Sequence, residues 1–146
     1  MKKVLSSLLA VVVLVGGMYV AINSAPPKPV LTIENKTVEV AQSSYCWNGL
    51  LKTQCVDMIS PPDLIEHHKI TPVVVSPGAD VKIKFHRKPL ENTLTASIWS
   101  SNNEITNAPL NENVLSVPNE KGFYIYSLSA YWKKGSSSYV FVIEVK

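Results

Sequence analysis

The stretch KGFYIYSLSAYWKKGSSSYVFVIEV, residues 121–145, decides the fold. From Phe123 to Trp132 the side chains alternate between two faces, which is the period of a β-strand. KKGSSS is rich in turn-forming residues, and YVFVIEV is a second run of β-branched and aromatic side chains. The stretch therefore predicts a long β-hairpin, which we expect to be the last strand pair of the fold.

Both faces of the first hairpin strand carry apolar side chains. One face has Tyr124, Tyr126, Leu128, Ala130 and Trp132, and the other has Phe123, Ile125, Ser127, Ser129 and Tyr131. One of these faces must fill the core. The other is then an exposed aromatic patch, unless a helix or the N-terminal segment covers it.

The sequence upstream contains further strand signals and one helix signal. VLTIE (30–34) and TVEVA (37–41) flank a tight turn, and in VKIKF (81–85) apolar and lysine side chains alternate. SPPDLIEHHK (60–69) begins with a serine cap followed by a proline at the first helical position. Seven or more strands with one short helix predict an all-β protein, an immunoglobulin-like antiparallel β-sandwich.

The segment GFYIYS (122–127) adds to this prediction. In immunoglobulin-like sandwiches a tyrosine near the start of one strand ties its hydroxyl to the backbone a few residues upstream. Tyr124 and Tyr126 are both candidates for such a tyrosine corner. The Cys, Trp, Cys order of antibody domains is absent, because both cysteines lie early and close together.

The N-terminus has the pattern of a targeting segment. Lys2 and Lys3 precede an uncharged run of 19 residues, Val4–Ile22. As a helix this run is roughly 28 Å long, close to the ~30 Å of a bilayer core. Lysines ahead of the run favour a cytoplasmic N-terminus and an extracytoplasmic domain.

Residues 1–23 are therefore predicted to be a signal-anchor that enters the membrane through Val4–Ile22. If they are instead a cleaved signal peptide, the protein is secreted. The proline-rich residues 24–29 predict a stiff stalk, because proline cannot continue a helix and favours extended structure. Residues 30–146 remain for one sandwich domain.

The stretch SYCWNGLLKTQCVD, residues 44–57, holds both cysteines, Cys46 and Cys55, with eight residues between them. In an exported domain two cysteines normally pair. Zinc needs four ligands, usually at closer spacing, and redox pairs prefer C-x-x-C. The spacing therefore favours a structural disulfide around a turn at Asn48–Gly49.

These segments resemble a family. SYCWNG, CVD and PPDLI, followed by PGADVKIKF and the C-terminal stretch, are similar to small exported proteins of Gram-positive bacilli, many of them lipoproteins of unassigned function. The likeness covers residues 43–146. It implies an immunoglobulin-like C-terminal hairpin and a location outside the cytoplasm, but no activity. The chain departs from the lipoproteins because it has no cysteine for lipid attachment near its N-terminal run.

The predicted interaction surface combines aromatic, apolar and basic side chains. Its members are Tyr45, Trp47, Leu50, Leu51, Trp99, Trp132, Lys82, Lys84, Arg87 and Lys88. Aromatic side chains suit contact with protein, peptide or glycan. The basic set suits an anionic wall polymer or lipid headgroups, although it is also typical of an ordinary solvated strand face.

Other classes of function lack their signals. When Lys2 and Lys3 are left out, the chain has twelve basic and eleven acidic residues, so its net charge is close to zero. We therefore expect no nucleic-acid partner. The chain contains neither G-x-S-x-G nor H-E-x-x-H, and no catalytic residue or cofactor is predicted. His67 and His68 are only weak metal candidates, because adjacent helical positions diverge by about 100°.

The sequence therefore predicts a non-enzymatic binding or interaction module of the cell envelope. Its expected partner is an envelope protein or an anionic wall polymer. Two alternatives stay open, a metal- or ligand-sensing accessory protein and a small envelope enzyme of unknown type.

Overall fold

A computed structural model describes residues 2–23, 25–50, 52–99 and 104–146. Its helices are α1 (Lys2–Asn23) and α2 (Pro61–His68). Its strands are β1 (Pro29–Ile33), β2 (Lys36–Val38), β3 (Ala41–Asn48), β4 (Thr53–Val56), β5 (Val73–Val75), β6 (Asp80–Phe85), β7 (Thr95–Trp99), β8 (Ile105–Ala108), β9 (Leu110–Asn111), β10 (Val114–Ser116), β11 (Gly122–Trp132) and β12 (Gly135–Val145).

The strands form two sheets. Sheet A has the order β2-β1-β6-β10-β9, and sheet B has the order β4-β3-β12-β11-β7-β8. Strand β5 joins sheet B by pairing in parallel with the end of β12, whereas the strand pairs along the two orders are antiparallel. The chain is thus mostly antiparallel β-sheet with two helices, which agrees with the predicted all-β class.

The core lies between the two sheets. Phe85 of sheet A contacts Trp132 and Tyr139 of sheet B, with ring centroids 5.3 and 6.0 Å apart. The alternation predicted for residues 81–85 is confirmed, because the three apolar positions of β6 are buried and its two lysines are exposed. Period-2 patterning therefore selects the inward face of this strand.

The predicted C-terminal hairpin is confirmed as the centre of sheet B. Strands β11 and β12 pair along their whole lengths, from Gly122 opposite Val145 to Trp132 opposite Gly135. The turn is therefore only Lys133–Lys134, and the longer turn predicted over KKGSSS is wrong. The ladder begins again at Gly135, so the three serines after it are strand residues.

The two corner candidates have different environments. The hydroxyl of Tyr124 donates a hydrogen bond to the carbonyl of Glu120 at 2.9 Å, which is the contact of a tyrosine corner. Tyr126 lies in the core and stacks on Phe141 with centroids 5.0 Å apart. Its hydroxyl finds no hydrogen-bond partner among the described residues. Burial raises the pKa of Tyr126 far above its ordinary value, so this hydroxyl stays protonated.

Helix α2 covers the middle of the outer face of sheet B. Leu64 of α2 and Ile70 just after it are buried, as are Val140 and Val142 of β12. These four side chains lie outside the inter-sheet core and form a second, smaller apolar layer. The predicted helix is confirmed, and it covers only part of the outer face of sheet B. Toward the two ends of β11 the outer face remains exposed, at Phe123 and Tyr131.

The predicted targeting run Val4–Ile22 lies within α1. The side chains of Leu5 and of residues 20–22 fall outside those that the structure describes. Within the described part of the chain, no helix combines the length and the apolar character that crossing a membrane requires.

The segment predicted as a stalk, residues 24–29, packs on the sandwich from Pro26 onward, while residue 24 lies outside the described residues. Pro26 and Pro27 are buried, and Pro29 is the first residue of β1. The hydroxyl of Tyr139 donates to the carbonyl of Pro27 at 2.7 Å. Prolines suit this position, because they have no backbone N–H that burial would leave unpaired. The segment closes one end of the sandwich instead of holding it at a distance.

At Gly135 an added side chain would clash with the backbone of the neighbouring strand β3. A Cβ built there would lie 2.0 Å from the carbonyl oxygen of Cys46, and the backbone has a φ of +146°. We expect Gly135→Ala to lower the free energy of unfolding by about 3 kcal/mol or more, because β3 and β12 would have to separate. Urea unfolding followed by tryptophan fluorescence measures this. Ser136→Ala, one position along the same strand, is the control and should change little.

Two tyrosine variants should move stability in opposite directions. Tyr124→Phe removes the bond to Glu120 and should cost about 1 kcal/mol. Tyr126→Phe removes a buried hydroxyl without a partner among the described residues and should be neutral or stabilising by up to about 1 kcal/mol. Both are measured in the same urea titration. Equal losses in the two variants would contradict the assignment of Tyr124 as the corner residue.

Candidate functional site

The predicted disulfide is present and joins Cys46 of β3 to Cys55 of β4. The two residues stand directly opposite each other in the strand register. Below the disulfide, the Gly49 amide donates to the Lys52 carbonyl at 2.9 Å and closes the turn. Leu51, a member of the predicted interaction surface, falls outside the described residues. We call β3 and β4 together the disulfide hairpin.

A groove of about 310 Å³ lies beside the disulfide hairpin at one end of the sandwich. Four of its lining side chains are positively charged, and three are aromatic or apolar. They are Arg87, Lys88, Lys133, Lys134, Trp47, Trp132 and Leu90. We call this the basic groove. It brings together four members of the predicted interaction surface from three segments that are far apart in sequence.

Two indole rings and a guanidinium form the inner wall of the basic groove. Trp47 and Trp132 are only 2% and 8% exposed, and their rings meet edge-on with centroids 5.9 Å apart. The guanidinium of Arg87 lies over the ring of Trp47 at 5.4 Å, which is a cation–π distance. The indole N–H of Trp132 donates to the carbonyl of Arg87 at 2.9 Å. These contacts hold Arg87 against the two indole rings and thereby position its charge beside the groove.

The N-terminal segment also ends at this groove. Arg87 donates from Nη2 to the carbonyl of Ala25 at 2.6 Å. Next to it, burial raises the pKa of Tyr139, partly offset by a hydrogen bond with Ser137 and by the charge of Arg87. Tyr139 is thus protonated at neutral pH and can donate to Pro27. Residues 25–27 are therefore fastened to the domain by two side chains.

Two hairpin turns lie together at this end. The amide of Asn48 donates to the carbonyl of Lys134 at 2.7 Å, which joins the disulfide hairpin to the β11–β12 turn. Leu50 is 54% exposed at the tip of the disulfide hairpin, and Lys52 beside it is exposed. We call this the groove end of the sandwich. The opposite end, with the Glu34–Asn35 turn and the start of β11, is the far end.

The remaining predicted surface residues lie elsewhere. Lys82 and Lys84 point outward from sheet A, opposite Thr32 and Val30 of β1. The predicted basic set is therefore divided, because β6 ends at Phe85 and the chain bends before Arg87. Tyr45 packs against the core, and Trp99 lies on the outer face of sheet B near the far end, between Ile105 and Ile125.

The histidine pair lies at the end of α2. The rings of His67 and His68 have centroids 5.3 Å apart. Across the described residues, no three His, Cys, Asp or Glu side chains gather in the way a metal ion needs. His68 also lines a cleft of about 360 Å³ with Glu39 and Tyr45. This cleft mixes one acid, one lysine and neutral groups, and it has no concentrated charge.

The sequence analysis missed Leu90, Lys133 and Lys134 as groove residues. The two lysines were taken as part of a long polar turn. Two adjacent lysines are no signal for a two-residue turn, and their place at the end of the sheet follows from the register of β11 and β12. No sequence pattern predicts Leu90 as a groove residue, because its position depends on the conformation of the loop after β6.

In comparisons with protein-family models, with curated proteins and with solved structures, no match to this chain was found. The resemblance to exported proteins of Gram-positive bacilli thus stays a prediction. Any assignment of function must come from the site itself.

Loss of the disulfide should affect stability. We expect the double variant Cys46→Ser, Cys55→Ser to unfold with a free energy lower by about 2–3 kcal/mol, because the closed loop no longer restrains the unfolded chain. Thermal and urea unfolding of the oxidised wild type and of the variant measure the difference. Unchanged stability would contradict a structural role for this bond.

Proposed function

We propose that the protein is a non-enzymatic binding module of the cell envelope, and that its basic groove binds a phosphodiester-bearing anion. One observation carries the proposal. Four cationic side chains and three aromatic or apolar ones line a single groove of about 310 Å³. Anionic ligands with some apolar surface are complementary to this combination.

We further propose an immunoglobulin-like fold for the sandwich. The hydrogen bond from Tyr124 to the Glu120 carbonyl at 2.9 Å supports it, because this corner tyrosine near the start of a strand is typical of that fold. Strands β11 and β12, the long central hairpin of sheet B, support it as well.

Export is the proposed location, with the N-terminus cytoplasmic and the sandwich outside. The Cys46–Cys55 bond supports it, since disulfides persist in oxidising compartments. The described large apolar side chains of α1 are 58 to 72% exposed, so the helix needs an apolar environment that the sandwich does not provide. We propose that α1 inserts into the membrane, either as a retained anchor or as a signal peptide.

The groove chemistry favours a phosphodiester over a neutral ligand. Arg87 presents a guanidinium whose position is fixed by Trp47 and by the Ala25 carbonyl. Lys88, on the chain next to it, and the Lys133–Lys134 turn line the same groove. A rigid guanidinium with mobile ammonium groups suits a chain of phosphates, whose charges recur along a flexible backbone.

Binding to a soluble phosphodiester chain tests this function. We expect the full protein to bind polyglycerol phosphate, with an affinity that falls as salt is raised, and not to bind neutral dextran. The triple variant Lys88→Gln, Lys133→Gln, Lys134→Gln should bind about tenfold more weakly, since three exposed ion pairs at about 0.5 kcal/mol each sum to about 1.5 kcal/mol. Isothermal titration calorimetry measures both affinities.

The matched control removes charge from the other basic face. Lys82→Gln, Lys84→Gln alters two exposed lysines on the outside of sheet A and should leave binding close to wild type. Equal weakening in the two variants would mean that net charge, and not the basic groove, determines binding. Equal affinity for dextran would also contradict the proposal.

A further inference from the structure

The chain leaves helix α1 beside the basic groove. Helix α1 ends at Asn23, and the carbonyl of Ala25, two residues later, accepts a hydrogen bond from Arg87. Two peptide units extend at most ~8 Å, so the end of α1 lies within that distance of Ala25. Because Pro26 and Pro27 are buried against the sandwich, the chain has little slack between helix and groove.

The composition of the groove end fits a lipid surface. Residues 48–53, 87–90 and 133–134 contain five cationic residues, while Glu91 and Glu112 lie beside Lys88 and Leu90 in the neighbouring cleft. Leu50 and Leu90 are exposed there, at 54 and 42%. Exposed leucines among lysines are typical of surfaces that contact anionic headgroups and the hydrocarbon boundary below them.

The far end has a different electrostatic character. Lys36 pairs with Glu34 at 3.6 Å, and Lys146 pairs with Glu144 at 2.9 Å. Positive charges there are accompanied by carboxylates on the neighbouring residues. The groove end thus has five cationic residues to two carboxylates, and it is the end from which α1 departs.

We propose that the groove end rests on the membrane that α1 enters, and that the phosphodiesters bound by the basic groove are those of anionic lipid headgroups in that membrane. This inference rests on the proposed function and names the source of its ligand. The short link from α1 holds the sandwich at the bilayer surface, and the groove fixes which end faces the lipid. Leu50 and Leu90 then reach the interfacial layer.

Lysine footprinting of the full chain in nanodiscs tests this. The protein is reconstituted in discs of phosphatidylcholine alone or with phosphatidylglycerol added, treated with an amine-acetylating reagent, and analysed by mass spectrometry. We expect acetylation of Lys88, Lys133 and Lys134 to fall about fivefold in the anionic discs relative to the neutral ones, as about 1 kcal/mol per lysine implies. Lys82 and Lys84 in the same sample are the internal control and should not change.

Each of three other outcomes would overturn the inference. If the groove lysines react equally in the two kinds of disc, the headgroup charge is not what they bind. If all five lysines are protected alike, the protection does not come from the groove. If soluble polyglycerol phosphate protects the groove lysines while anionic discs do not, the ligand is a wall polymer, and the proposed function survives without the lipid contact.

A second measurement reports the orientation of the sandwich. A bimane dye is attached at Leu50→Cys on the groove end, or at Phe123→Cys near the far end, with the native disulfide left oxidised. Brominated phosphatidylglycerol should quench the dye at position 50 and spare the dye at position 123. The Lys88→Gln, Lys133→Gln, Lys134→Gln background should reduce quenching at position 50. Quenching at position 123 that equals or exceeds that at position 50 would overturn the proposed orientation.

Discussion

The absence of a side chain at Gly135 is the constraint on which the rest of this structure depends. Gly135 pairs with Trp132 on one side and with Trp47 on the other, so it lies between two tryptophans in the sheet. The carbonyl oxygen of Cys46 occupies the volume that a Cβ would need. Because the backbones approach so closely, the two indoles meet edge-on above the glycine. One residue thus joins the disulfide hairpin to the C-terminal hairpin and fixes their turns side by side.

The indole pair in turn organises the end of the sandwich. Trp132 packs against Phe85 of the opposite sheet and bonds to the carbonyl of Arg87 just beyond it. Arg87 is thereby held over Trp47 and reaches the backbone of Ala25. The same contacts that close the core at this end therefore place a positive charge in the wall of the groove. Stability and binding chemistry share these side chains, so core substitutions here would disturb both.

The sequence predicted the local features well and the long-range ones poorly. Alternation along β6 identified which side chains face inward, because a strand has a period of two wherever one face is buried. Alternation along β11 predicted the strand but not its inward face, since both faces carry apolar side chains. The disulfide followed from the count and spacing of cysteines. The direction of Arg87 and the packing of the prolines did not follow, since they depend on contacts across 62 and 112 residues of sequence. Local patterns carry no information on which distant carbonyl a side chain will find, and the basic groove is built from such contacts.

The position of the charges argues that the basic groove is more than a solubilising surface. Lys82 and Lys84 stand on an open strand face among Thr32 and Val30, where water screens them from every side. Lys88 and the Lys133–Lys134 turn instead surround a concave space walled by indole rings and Leu90. Apolar walls reduce the water around a bound anion, so the same ammonium charge attracts a phosphate more strongly there than on the flat face. In the proposed complex, the same apolar walls contact the apolar part of the ligand next to that phosphate. A ligand with an anionic group joined to an apolar body can contact both the cationic side chains and the apolar walls of the groove. A simple inorganic anion can contact only the cationic side chains, so we expect it to bind more weakly.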